Sequence, residues 1–237
     1  MTEGLLYVLS QPRDGDEDGF HDWYDTEHGP ARLALPGVRQ GHRYRAADGA
    51  APSWLAWYDL DLRVLQTSEY RALRDRRSAR ESAVMSALAS LDRRVYELLE
   101  DHLPDDHLPD DHLPDDHLPD DHGAPAAAAP PILLARAITV PPRHEPAFHS
   151  WYAEEHVPAL HALPGWRRTR RYVLRDGDAP RFLALHEIDD PAVFATDAYR
   201  AATDTPWRAE VMRTVTAEER RIFAYHNSFQ TSGAPAR

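Results

Sequence analysis

An 18-residue stretch occurs twice in this chain: residues 20–37 and 148–165 align without a gap and share 12 identities. Each copy runs Phe-His-x-Trp-Tyr, then Glu-His-x-Pro, then Leu-Pro-Gly. The copies lie 128 residues apart. A stacking solenoid unit spans only roughly 20–50 residues, so the repeated object is a whole domain. A chain of 237 residues holds two domains of about 100 residues, each large enough to bury a core. The repeat places them at 1–100 and 132–237, with 101–131 between them.

That intervening stretch repeats Asp-Asp-His-Leu-Pro in units of five and continues into an Ala/Pro-rich segment. A proline every fifth residue forbids a regular helix, and the extended chain that remains reaches on the order of 90 Å at about 3 Å per residue. It reads as a tether. Its histidines and aspartates would have to be ordered before they could grip a metal ion, so no metal site is predicted.

The net charge of -12 belongs mostly to this tether, whose nine aspartates carry -9 and leave only -3 for the rest. A near-neutral fold without a basic stripe argues against nucleic acid as a partner. There is no cysteine, which removes thiolate chemistry and disulfides and fits a reducing compartment. All 27 basic residues are arginine, so Schiff-base and P-loop chemistry are excluded with lysine. The N-terminal apolar run lacks a basic flank and is too short for a signal or a membrane span, and a soluble cytoplasmic protein is expected.

Residues 5–10 and 132–140 are short apolar runs closed by Pro-Arg-Asp-Gly and Pro-Pro, and both predict strands buried on two faces. Phe20, Trp23, Tyr24 and His28 follow at helical spacing, with Pro30 predicted to break or kink the helix. Residues 38–46 with 54–60, and 166–174 with 182–188, flank Asp-Gly turns and predict hairpins. A second helix and a last short strand, 94–99 or 221–225, complete each half as β-α-β-β-α-β. The fold class is therefore α+β, two ferredoxin-like units. Such a unit covers one face of its sheet with helices and leaves the other bare, so the second half is the expected cover.

The pattern Trp-Tyr-x-x-Glu-His-x-Pro on a first helix, followed by Leu-Pro-Gly into a strand, resembles the dimeric α+β barrel superfamily and, within it, the EthD-like proteins. The resemblance covers both halves and leaves out the tether. It implies that one chain supplies both halves of a barrel that these families build from two, an intramolecular pseudo-dimer with room for further self-association. The superfamily also holds polyketide cyclases, cofactor-free monooxygenases and haem peroxidases, so the likeness is weak evidence for any one reaction.

Helical spacing aligns Tyr24 and His28, and likewise Tyr152 and His156, toward the sheet as candidate catalytic groups. Carbonyls freed by Pro30 would favour a protonated His28 that donates a proton, unless Glu-His-x-Pro is only a structural helix stop. Along the second strand His42 and Tyr44 share a face, as do Arg170 and Tyr172. A hairpin symmetric about its turn would set His42 across from Tyr58 and Arg170 across from His186. These six, with Trp23 and Trp151 as aromatic walls, are the candidate substrate-binding residues; the competing reading makes the strand residues a hydrogen-bonded seam between the halves. His21 and His149, on the far side of the helix, are expected to be exposed.

The leading expectation is an enzyme without cofactor or metal that moves protons on an apolar or aromatic small molecule, as a cyclase, dehydratase, decarboxylase or isomerase does. Two other classes stay open: a non-catalytic binding or accessory protein, and an oxidoreductase, either a cofactor-free monooxygenase or a haem enzyme with a ligand such as His186.

Overall fold

The computed structural model describes residues 2–104 and 130–229; the Asp-Asp-His-Leu-Pro array, for which a tether was expected, falls almost wholly outside them. Within them every strand hydrogen-bonds to a neighbour on both sides. The strands are β1 (Glu3–Pro12), β2 (Val38–Ala46), β3 (Trp54–Asp61), β4 (Leu88–His102), β5 (Ile132–Thr139), β6 (Trp166–Asp176), β7 (Phe182–Ile188) and β8 (Ala217–Ser228). They close into one antiparallel barrel in the order β1-β3-β2-β8-β5-β7-β6-β4. A closed sheet has no free edge, so no strand needs protecting from edge-to-edge pairing.

The pleat explains how short apolar runs serve two cores at once. In β1, Leu5, Tyr7 and Leu9 point into the barrel with Leu55 and Trp57 of β3, while Leu6 and Val8 point out under the helices with Tyr58. The barrel interior draws on both halves of the chain: Leu5, Tyr44 and Tyr96 pack in one cluster with Leu133, Tyr172, Leu185 and Phe223. The helices lie outside: α1 (Glu17–Trp23), α2 (Gly29–Leu33), α3 (Ser68–Asp75) and α4 (Ala79–Ser86), then α5 (Glu145–Trp151), α6 (Val157–His161), α7 (Asp197–Thr203) and α8 (Pro206–Met212).

The structure departs from the sequence expectations in three places. The last strands run much further than 94–99 and 221–225, because each has two partners along its length: β4 pairs with β1 over its first part and with β6 over its last, and β8 pairs with β5 and then β2. Pro30 does not break the first helix. The chain widens into a π-helical turn, Tyr24–His28, where the Gly29 N–H donates to the Tyr24 carbonyl, and Pro30 follows in α2, so that the helix runs on through the widened turn.

The hairpin registers also differ by one residue from the expected ones. His42 faces Trp57 and Gly41 faces Tyr58; Arg170 faces Leu185 and Thr169 faces His186. A one-residue slip sends a side chain to the other face of the sheet. His42, Tyr44, Arg170 and Tyr172 therefore point into the barrel, whereas Tyr58 and His186 point out toward the helices. Inside, Arg170 joins the halves: its guanidinium donates to Asp59 at 3.1 Å and to Glu187 at 2.7 Å, and lies 4.4 Å over the Trp57 ring. His42 lies 2.7 Å from the Ser228 hydroxyl and 3.3 Å from Gln40.

Candidate functional site

The π-helical turn sets the geometry of the first site. By adding one residue to the turn it carries Tyr24 and His28 onto the buried side together, with ring centroids 4.9 Å apart, and seats His28 against Trp23 at 4.2 Å. These three residues, with Tyr58 from β3 and Tyr70 from α3, wall a cavity of about 170 Å³ between sheet and helices. From α4, Glu81 faces His28 Nδ1 at 3.5 Å, too long for a full hydrogen bond, and Arg32 reaches the same carboxylate at 3.8 Å. Arg74, Arg77 and Arg93 also line the cavity.

Burial, reinforced by Arg32 and only partly opposed by Glu81, lowers His28 from 6.5 to about 3. At neutral pH the ring is uncharged, which reverses the expectation of an imidazolium donor; the turn's i to i+5 bond engages the Tyr24 carbonyl, and burial outweighs what the helix end offers. A carboxylate beside Nδ1 favours the tautomer with its proton there, leaving Nε2 with a lone pair. Nε2 is thus free to accept a proton, with Glu81 placed to stabilise the imidazolium that would form. Tyr24 is shifted the other way: burial raises its phenol above 10, against the pull of an Arg43 guanidinium 4.4 Å from its ring, so it stays a donor. His21 is not exposed as expected. It accepts from the buried Arg43 at 2.8 Å, as His149 accepts from Arg171 at 2.7 Å.

The first site is completed from the far end of the chain. Phe229, just past β8, donates its N–H to the Gly41 carbonyl at 2.9 Å and stacks on Tyr58 (5.3 Å) and Tyr24 (6.0 Å). Its ring occupies the space above two glycines: a Cβ on Gly29 would come within 2.1 Å of it, and one on Gly41 within 2.6 Å. The second copy has Val157 and Thr169 at these positions. Gly29→Val should therefore destabilise the protein by about 1–3 kcal/mol through overpacking. In a Phe229→Ala background most of that penalty should vanish, a coupling that urea unfolding of the four proteins measures. Equal penalties in both backgrounds would mean that something other than Phe229 excludes the valine.

The second copy repeats the frame with different charges. His156 stacks on Trp151 at 4.4 Å and lies 5.2 Å from Tyr152, at a cavity of about 130 Å³ that His186, Trp166, Arg136, Arg208 and Arg220 also line. Arg208 takes the place that Glu81 has in the first copy, each standing three residues after the residue that caps its helix, Thr205 or Ser78. Burial, then Arg208 and Arg136, lower His156 to about 3. His186 is fully enclosed, its Nδ1 3.0 Å from the Thr169 hydroxyl, and burial holds it well below 6.5.

The structure thus brings Trp23, Tyr24, His28 and Tyr58 together, and separately Trp151, Tyr152, His156 and His186. It removes His42, Tyr44, Arg170 and Tyr172 from both cavities and places them inside the barrel. Sequence reading missed Glu81 and Arg208. Their signal was present in the aligned caps Ser78-x-x-Glu81 and Thr205-x-x-Arg208, which a comparison of the second helices would have shown. Among the described residues no cluster of histidine and carboxylate groups could hold a metal ion, and no helix is long and apolar enough to cross a membrane.

No family model and no curated protein matches the chain. Solved structures do. An anthrone oxidase-like protein shares 10% identity at a TM-score of 0.64, over 100% of this chain and 97% of its own. Candidate monooxygenases from Lactobacillus acidophilus (10% identity, TM-score 0.55) and Fusobacterium nucleatum (9%, 0.56) each align over 98% of this chain, and over 97% and 96% of their own. These likenesses concern the fold. They correct the leading functional expectation, since the names that accompany this barrel are those of oxidative enzymes rather than cyclases, dehydratases, decarboxylases or isomerases. The chain has the mixed α+β barrel fold of monooxygenase-like proteins.

Proposed function

We propose that the protein is an oxidoreductase of the cofactor-free oxygenase type, acting in the first cavity on an electron-rich phenolic carbon acid of the anthrone kind. The observation that carries the reading is the buried His28 beside Glu81 in an aromatic-walled cavity, on a fold whose structural neighbours are named as an anthrone oxidase-like protein and candidate monooxygenases. An engineered cavity of about 150 Å³ takes a benzene ring. About 170 Å³ thus holds one ring of a larger substrate, with the rest projecting past Leu91, which is exposed at the rim.

His28 Nε2 takes the acidic C–H proton, and the resulting phenolate-like anion is held by the surrounding arginines. That anion gives one electron to dioxygen; the two radicals join as a carbon-bound peroxide, and loss of water leaves a ketone. In sum CH2 and O2 become C=O and H2O, with the substrate as reductant and dioxygen as oxidant. Tyr24 and Tyr58, kept protonated by burial, shape the cavity as neutral groups. Haem does not fit these residues: both cavities fall below the roughly 300 Å³ at which pockets for drug-sized ligands begin, and His186 is enclosed against Thr169. The test is oxygen uptake with anthrone in the presence of a chelator, expected to give one quinone per O2. Anthrone that binds and protects the fold without consuming oxygen would instead support a binding or accessory role.

The barrel itself is proposed to be an intramolecular pair of ferredoxin-like units, descended from one EthD-like domain and joined by the tether. Strands β2 with β8 and β6 with β4 form the two seams, and Arg170 with Asp59 links the halves inside. Cutting the tether should leave a noncovalent heterodimer that co-elutes and melts as one unit. Separate monomers with independent transitions would defeat this arrangement.

A further inference from the structure

The second cavity poses an electrostatic problem that nothing described above resolves. Arg136 on β5 and Arg220 on β8 are direct cross-strand partners and both line the cavity. Like charges in that position repel, because directly opposed side chains start only about 5 Å apart. Arg208, reaching in from α8, adds a third guanidinium. In the first copy the corresponding strand pair is Val8 with Arg93, so the repulsion is absent there, and Glu81 stands where Arg208 does.

The acids nearby cancel only part of this charge. Glu218 pairs with Arg136 but does not line the cavity, and it is half exposed. Glu155 accepts from the Trp151 indole N–H at 3.0 Å and from Thr205. Among the described residues no carboxylate lines the cavity. Arg220 lies 5.3 Å from the Phe194 ring, a contact that leaves its charge unpaired, and both lining histidines are held neutral. The same cavity is lined by the apolar surfaces of Trp151, Trp166 and Met212.

We propose that this cavity is an oxyanion-binding site. It takes a small molecule whose carboxylate or phosphate group docks among Arg136, Arg208 and Arg220 and whose body rests on Trp151 and Trp166. Planar guanidinium groups fit either oxyanion through paired N–H donors, and the bound charge relieves the repulsion between the two strand arginines. The site is separate from the oxidation assigned to the first cavity, so its failure would leave that reading untouched.

The test is the melting temperature of the full chain in sodium benzoate, in inorganic phosphate and in sodium chloride at matched ionic strength. At about ten times its Kd, a binding anion raises the melting point by roughly 3–5 °C for a chain of this size, and chloride does not. Benzoate acting alone identifies a carboxylate on an apolar body; phosphate acting alone identifies a phosphate ligand; both acting support the shared oxyanion chemistry. Arg208→Glu, which copies Glu81, and the milder Arg208→Gln and Arg136→Val should each abolish the shift. No shift with either anion, a shift equalled by chloride, or one that survives these substitutions overturns the proposal.

Discussion

Replacing His28 by glutamine is expected to slow oxygen uptake with anthrone by about 10²–10⁴-fold, the usual contribution of a positioned general base. Glutamine keeps much of the size and polarity of the ring but has no lone pair of comparable basicity. His156→Gln should leave the rate within about threefold, because in the second cavity Arg208 replaces the carboxylate that orients the ring in the first. Since burial holds His28 uncharged down to about 3, the rate should show no inflection near the ordinary histidine value of 6.5. Equal losses in the two variants would remove the asymmetry between the copies. A bell limb at pH 6–7 that disappears in His28→Gln would show instead that the ring titrates normally and is open to water.

Mild acid should destabilise the protein steeply. His28 and His156 are lowered to about 3 and His186 well below 6.5, in each case first by burial. Their folded values lie under the unfolded one, so below 6.5 the unfolded chain binds protons that the fold refuses, and stability falls as pH falls from 6.5 toward about 3. Each such group costs about 1.4 kcal/mol per pH unit, so three together approach about 4 kcal/mol per unit. Against a typical total of 5–15 kcal/mol, the fold should fail within about one to four units below 6.5. The carboxylates act in a different window. Burial pulls Asp59 and Asp48 upward, but Arg170 and Arg221 outweigh it and hold both below 3.8; their contribution is present above that value and is lost only as pH drops through the lowered ones. Urea midpoints between pH 7.5 and 5 measure the effect, and His28→Gln should remove about a third of it. A midpoint that stays constant over that range would reject buried, neutral histidines.

The sequence by itself determined what depends on local pattern. Short apolar runs closed by proline-containing breakers marked β1 and β5, and an Asp-Gly turn between two β-rich runs marked each hairpin, with Gly49 and Gly177 at positive φ as such turns require. The three-and-four spacing of Phe20, Trp23, Tyr24 and His28 was enough to put the first three in one buried cluster under the first helix, with His28 beside them. What only the tertiary structure decided are contacts between distant residues. A one-residue difference in hairpin register, invisible in composition, moved His42 and Arg170 into the barrel and left Tyr58 and His186 outside it. The reach of Glu81 to His28 across 53 positions, and of Phe229 to Gly29 across 200, depends on how helices and strands pack after the barrel closes. Even the charge of His28 followed from that packing: the helix end alone favours a proton, and burial removes it.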